Sequence, residues 1–307
     1  MKQFDIIERT ASKIKELKIQ GAENIAKSAL QRIQEFSEKL EVNDKYEFIN
    51  KIEEAKKILA ESRPTEPLML NSLNFIITML EKNPVNEIKE LKHLVSLYSN
   101  EFLHNLESAK NKIAEVGSTL IKDEEIVFTH CHSSTVMGIL KKAKENGKRF
   151  SVICTETRPL FQGRKTAKEL SALGIPTTMI VDAASSYMIE KANIVIVGAD
   201  AITPKGIINK VGTSLIALAA KKAWVPFYVA CELYKFDPRS LDETYIIEER
   251  DRNEIWKTKR KMIEIRNPAF DLTENEYITG IISEEGIQHP QVLIHIIQSK
   301  YPWLFRR

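Results

Sequence analysis

Cysteine is scarce in this 307-residue sequence: there are three, Cys131, Cys154 and Cys231, far apart and with no CxxC pair. That spacing excludes a disulfide framework and a zinc knuckle and predicts reduced thiols. Long apolar runs are missing too. Nothing approaches the ~18 residues of a membrane span, and the opening MKQFDIIERTASKIKEL alternates charges where a secretory signal carries an apolar block. A cytoplasmic protein with no membrane partner is expected. An excess of one charge is also absent. Residues 1–120 hold 18 basic and 19 acidic side chains, residues 121–307 hold 27 and 23, and the net charge is +3. Neither half offers the basic surface of a direct nucleic-acid binder, although isolated lysines suit a phosphorylated small molecule.

Glycine is nearly absent from one part only. Of eleven, Gly21 alone precedes position 117, and the other ten lie between Gly117 and Gly286. With so few turn-forming residues, 1–117 is expected to be an N-terminal all-helical domain. Within it Ile88, Leu91, Val95, Tyr98, Phe102, Leu106, Ala109, Ile113 and Val116 recur at three- and four-residue spacing. This predicts one long connecting helix from near Asn86 to a cap at Gly117. Beyond Gly117 the period changes. Short β-rich runs at Ile126–His130, Phe150–Glu156, Thr177–Asp182, Ile194–Asp200 and Phe227–Glu232 alternate with helical segments at about 133–147, 164–173, 183–192 and 212–223. The order predicts an α/β protein whose C-terminal domain, 118–307, is Rossmann-like with a mostly parallel sheet. The highly charged run 238–264 is expected to be an exposed excursion before a final strand at Tyr277–Ser283.

In open parallel sheets ligands bind beyond the carboxyl ends of the strands. Those ends read Thr129-His130-Cys131, Thr155-Glu156, Val181-Asp182, Gly198-Ala199-Asp200 and Ala230-Cys231-Glu232, an acid or a thiol on each of five strands. Asp182 fits a helix cap as well as a site residue. His130-Cys131-His132 resembles a metal motif, but neighbours on an extended chain face opposite ways and no second Cys/His pair lies nearby, so no metal is expected. Cys131 precedes Ser133-Ser134-Thr135, a start signal for the next helix. That position stabilises a thiolate against the usual pKa of ~8.5, whereas a nearby Asp200 carboxylate pushes the value back up and suits the thiol to an acid role. Cys154 and Cys231 are expected in the core. Asn209-Lys210-Val211-Gly212-Thr213 gathers a cation, amides and a hydroxyl at a predicted helix start, a setting for a phosphate or another anion. Arg158, Arg164 and Lys165 add cations at the same edge.

Five runs carry a resemblance: TETRPLFQGRKTA from Thr155, VGADAI from Val197, INKVGT from Ile208, ELYKF from Glu232 and NPAFDLT from Asn267, with SRPT from Ser62 extending it into the helical part. They resemble the superfamily that unites regulatory subunits of initiation factor 2B with isomerases of methylthioribose 1-phosphate and of ribose 1,5-bisphosphate. The pattern is most similar to the archaeal ribose-1,5-bisphosphate isomerases. The resemblance implies aldose–ketose isomerisation to ribulose 1,5-bisphosphate in archaeal nucleotide salvage, with Cys131 and Asp200 as the catalytic pair. It also implies Gly21, Ala22, Arg63, Arg158, Asn209, Lys210 and Lys235 as ligands of the phosphates and hydroxyls. No metal or redox cofactor is implied, AMP is a candidate activator, and a homodimer or hexamer is expected. The isomerases carry Arg-Gly-Ala at the N-terminal phosphate loop, where this chain reads Gln20-Gly21-Ala22-Glu23. That departure keeps open a non-catalytic regulatory subunit binding the α subunit of initiation factor 2, and a methylthioribose-1-phosphate isomerase shares the same Cys and Asp.

Overall fold

A computed structural model describes residues 4–19, 21–241 and 245–306. The chain divides into two compact units. The first comprises Met1–Ser108 together with Tyr234–Pro238 and Ile296–Arg307, and the second comprises Ala109–Leu233 and Arg239–His295. The sequence places a single boundary at 117/118, and the difference has a physical cause. Trp303 packs edge-on against Phe75 and Phe102 at 5.2 and 6.1 Å between ring centroids and stacks on Tyr234 at 5.9 Å, while Phe305 meets Phe236 at 4.9 Å. These aromatic contacts fasten two late segments of the chain into the helical unit.

The helical unit is built from α1 (Asp5–Lys15), α2 (Ala22–Glu38), α3 (Lys45–Ser62), α4 (Pro67–Lys82) and the first part of α5 (Ile88–Ser118). Asp44 caps α3 by accepting the Glu47 N–H at 2.8 Å, and Pro67 opens α4 where its missing N–H costs nothing. The long helix runs within two residues of its predicted ends, because its apolar stripe, from Leu91 and Val95 through Phe102 and Ile113, is buried throughout.

The second unit alternates strand and helix: β1 (Glu125–Thr129), α6 (Ser134–Glu145), β2 (Phe150–Thr155), α7 (Gln162–Ala172), β3 (Thr177–Ile180), α8 (Ser185–Ile189), β4 (Ile194–Val197), β5 (Ala201–Thr203), β6 (Gly206–Lys210), α9 (Thr213–Lys222), β7 (Phe227–Ala230), β8 (Phe270–Glu274), β9 (Gly280–Ser283), β10 (Gly286–Gln288) and α10 (Pro290–Lys300). The main sheet has the order β10-β9-β7-β4-β1-β2-β3 and is parallel except for β10. From β1 the chain winds outward through β2 and β3, then returns to the other side of β1 with β4. That reversal opens a crevice at the carboxyl ends of β1 and β4. A small antiparallel sheet, β5-β6-β8, was not foreseen from the sequence. The run 238–264 holds only short 3₁₀ turns and an isolated bridge among its described residues, and most of it is exposed.

Candidate functional site

Cys131 follows β1 and Asp200 follows β4, one on each side of the reversal. Cys131 holds φ +67°, the left-handed region, which costs a side-chain-bearing residue of order 1 kcal/mol and persists only when neighbours enforce it. Two threonines do so. The Cys131 N–H donates to Thr157 Oγ1 at 3.0 Å, and the Cys131 carbonyl accepts from Thr166 Oγ1 at 2.8 Å. Thr157 is itself at φ +63° and is braced from β3's end: Asp182 accepts the N–H of Thr157 at 2.8 Å and that of Arg158 at 2.7 Å. Asp182 therefore anchors the loop after β2.

Burial pushes the Cys131 thiol up to about 11, with Lys210 and the His132 N–H pulling the other way and the Asp200 and Asp182 carboxylates reinforcing the rise. The sulfur keeps its proton at neutral pH, and burial does the same to Cys154, also near 11. Cys154 and Cys231 both lie in the core.

The VGADAI turn passes tightly against the start of α6. A Cβ on Gly198 would lie 2.6 Å from Ser133 Oγ, so only glycine allows this approach. Ser133 in turn caps α6 by accepting the Val136 N–H. Asp200 donates its N–H to the Ile208 carbonyl at 2.8 Å, which continues the β5–β6 pairing, and its carboxylate makes no hydrogen bond or ion pair among the described residues. Lys210, at the end of β6, is 7% exposed. Its ammonium lies 4.8 Å from the Phe270 ring centroid and makes no hydrogen bond or close ion pair among the described residues. It acts electrostatically on the Asp271 carboxylate, the kind of compensation a buried charge needs.

Asn209 and Lys210 lie on β6 rather than in a helix-start loop, and Asn209 Nδ2 donates to Thr213 Oγ1 at 3.0 Å. The expectation that the start of α9 is open to an anion needs correction. Asp271 takes the Gly212 N–H at 2.6 Å, the Ser214 N–H at 3.2 Å and the Ser214 hydroxyl at 2.9 Å, so the protein's own carboxylate occupies those donors.

His130 is buried, with Nδ1 2.6 Å from Thr155 Oγ1 and Nε2 3.1 Å from the Val211 carbonyl. Burial lowers its pKa to about 4. His132 Nδ1 meets Thr166 Oγ1 at 3.1 Å, and burial lowers its pKa as well. Both rings are committed to threonine hydroxyls. Thr155, Thr157, Thr166 and Asp271 were not singled out from the sequence; the i, i+2 spacing of Thr155 and Thr157 beside a polar strand end was the available signal.

Arg158 is exposed, donates from Nη2 to the Ile255 carbonyl at 3.4 Å and lies 5.1 Å from the Phe161 ring centroid. The other candidate ligands belong to the helical unit. Gly21 is the N-cap of α2 at φ +84° and Ala22 opens that helix, while Gln20 lies outside the described residues. Glu23 pairs with Lys27 at 2.7 Å, which offsets the charge it adds to the loop. Arg63 caps the end of α3, with Nη1 3.9 Å from Glu66 Oε2. Lys235 is buried in a segment whose Tyr234 and Phe236 carbonyls both accept from Asn71 Nδ2 at 2.7 Å. The structure thus gathers Cys131, Asp200, Asn209 and Lys210 in one unit, with Arg158 on the adjoining β2 loop.

Residues 18–290 match the model of the initiation factor 2 subunit family. The chain belongs to that family. Within it, the chain is 41% identical to a ribose 1,5-bisphosphate isomerase of Methanocaldococcus jannaschii over 99% of its own length and 98% of the relative's. It is 40% identical to the enzyme of that name from Thermococcus kodakarensis, over 96% of this chain and 95% of the relative. A solved translation initiation factor eIF-2B of Pyrococcus horikoshii OT3 superposes with a TM-score of 0.80 at 34% identity, covering 93% of this chain and 98% of that one. The 5-methylthioribose 1-phosphate isomerase of the same organism superposes at 0.77 with 26% identity, covering 95% and 87%. Proteins named as isomerases and as translation initiation factors therefore share one fold.

Proposed function

We propose that this chain is an aldose–ketose isomerase that converts ribose 1,5-bisphosphate to ribulose 1,5-bisphosphate. The observation that carries the reading is the pairing at the sheet reversal of a thiol held protonated with a carboxylate that has no partner among the described residues. The near full-length similarity to isomerases of that name supports it. Cys131 donates its proton to the ring oxygen and the furanose opens. Asp200 removes the C2 proton to form an enediol phosphate and returns that proton to C1. The C2 hydroxyl proton passes to the Cys131 thiolate, which restores the acid and leaves the C2 ketone. Lys210, Asn209 and Arg158 hold phosphates and hydroxyls. AMP acts as an activator rather than a reactant.

The test is incubation of the purified protein with α-ribose 1,5-bisphosphate, with and without AMP, following ribulose 1,5-bisphosphate. Wild type should turn over. Cys131→Ala and Asp200→Asn should each lose about 10²–10⁴ in kcat, the scale of a positioned acid or base, and variants equal to wild type would sink the proposed roles. The regulatory reading is favoured by a relative named as a putative translation initiation factor eIF-2B subunit 2-like, 37% identical, from Pyrococcus horikoshii. A protein that does not turn over ribose 1,5-bisphosphate but captures the α subunit of initiation factor 2 would support it.

We also read the chain as a homo-oligomer. Leu215 and Leu218 on α9 and Trp224 beyond it are 70%, 50% and 93% exposed. Large apolar side chains in that arrangement suit a covered face, and light scattering after size exclusion should return a multiple of the 35.1 kDa chain.

A further inference from the structure

The hydrogen bonds around His130 have a forced direction. The Val211 carbonyl can only accept, so His130 Nε2 carries a proton. Burial keeps the ring neutral at pH 7, which leaves Nδ1 as an acceptor, and Thr155 must donate to it. The Thr155 oxygen then accepts from the Thr157 hydroxyl at 3.1 Å. The Thr157 oxygen in turn accepts the Cys131 N–H at 3.0 Å. One oriented chain runs from the Cys131 backbone through two hydroxyls to the imidazole, and ends on the carbonyl next to Lys210.

We propose that His130 is a positioning residue for Cys131, orienting Thr155 and Thr157 through Nδ1 so that the left-handed Cys131 backbone and its thiol stay in register with the β6–α9 junction. The inference rests on the isomerase reading for its kinetic consequence and on geometry alone for the placement of the thiol. A core histidine that merely satisfied its own nitrogens would need neither the T-x-T spacing nor a positive φ at the residue it serves. Here four consecutive hydrogen bonds, 2.6 to 3.1 Å long, lead to that residue. Gly212 lies beside the far end with its backbone at φ +103°, a conformation that favours glycine; a Cβ there would make only an ordinary 3.5 Å contact with His130 Nε2.

The experiment compares His130→Leu, which removes both contacts, His130→Asn, whose amide oxygen can still accept from Thr155, and Thr157→Val, which keeps shape but removes the acceptor of the Cys131 N–H. Three quantities are read: melting temperature, kcat and KM for ribose 1,5-bisphosphate, and the rate at which iodoacetamide alkylates Cys131, followed by peptide mass spectrometry. Thr157→Val and His130→Leu should lose about ten- to a hundredfold in kcat with little change in KM, the scale of a small misplacement of a reacting group. They should also change the Cys131 alkylation rate several-fold, and His130→Asn should recover most of both. Folded variants with wild-type kcat and alkylation, a change confined to KM, or equal losses in the Asn and Leu variants would overturn the proposal. If His130→Leu does not fold, Thr157→Val decides. If wild type fails to turn over the bisphosphate, the isomerase reading falls, and the alkylation rates still decide whether His130 positions Cys131.

Discussion

Burial acts in opposite senses on two neighbouring side chains at the β1 edge: it strips a proton from His130 and keeps one on Cys131. The first effect links folding to pH. Above about 6.5, the unfolded value of histidine, the ring is neutral in both states and stability is unaffected. Between 6.5 and the folded value of about 4, the unfolded chain takes up a proton that the fold refuses, so stability falls as pH falls. The loss attributable to His130 approaches about 3 kcal/mol. Urea midpoints of wild type and His130→Asn at pH 7 and pH 4.5 should show a visibly smaller acid loss in the variant; parallel losses would contradict the assignment.

Among the elements, α9 shows how a start signal can have a remote cause. Its local sequence, Gly212-Thr213, reads as a site open to an anion, whereas the group that fills it, Asp271, lies 59 residues further on. Asp271→Ala removes a cap that receives two amides and a hydroxyl and should cost about 1–2 kcal/mol, measured by chemical denaturation. On α7 the constraint is steric. A Cβ on Gly163 would lie 1.7 Å from the Thr155 carbonyl oxygen, so Gly163→Ala should displace α7 and destabilise by more than the ~1 kcal/mol typical of single substitutions. The same contrast governs what the sequence revealed. The five parallel strands and their polar ends were legible because β-branched runs bounded by turn residues are local signals. The β5-β6-β8 sheet was not, because β5 has three residues and β6 finds its second partner about sixty residues downstream. Cys131 and Asp200 could be named from strand ends and resemblance. The Thr155–Thr157–His130 path could not, since its direction depends on a tautomer fixed by the Val211 carbonyl.

At the scale of the whole molecule, the helical unit is discontinuous in sequence. Arg306 binds Glu53 at 2.6 Å and also pairs with Glu81, and Asn74 donates to the Arg306 carbonyl at 3.0 Å. Trp303→Ala should cost the helical unit about 2–3 kcal/mol, below the ~3–5 of a fully buried aromatic because Trp303 is only partly buried. Loss of near-ultraviolet circular dichroism at an earlier denaturant concentration would register it. The composition change at Gly117 separates glycine-poor from turn-rich sequence, but composition carries no trace of a segment that packs with helices more than two hundred residues earlier. That arrangement also orders events during synthesis. At ~5–20 residues per second, a ribosome delivers the helices of Met1–Ser108 roughly ten to forty seconds before the Ile296–Arg307 stretch that completes their unit. For that interval the nascent chain holds Phe75 and Phe102 without their later aromatic partners, the condition in which a chaperone has the most to bind.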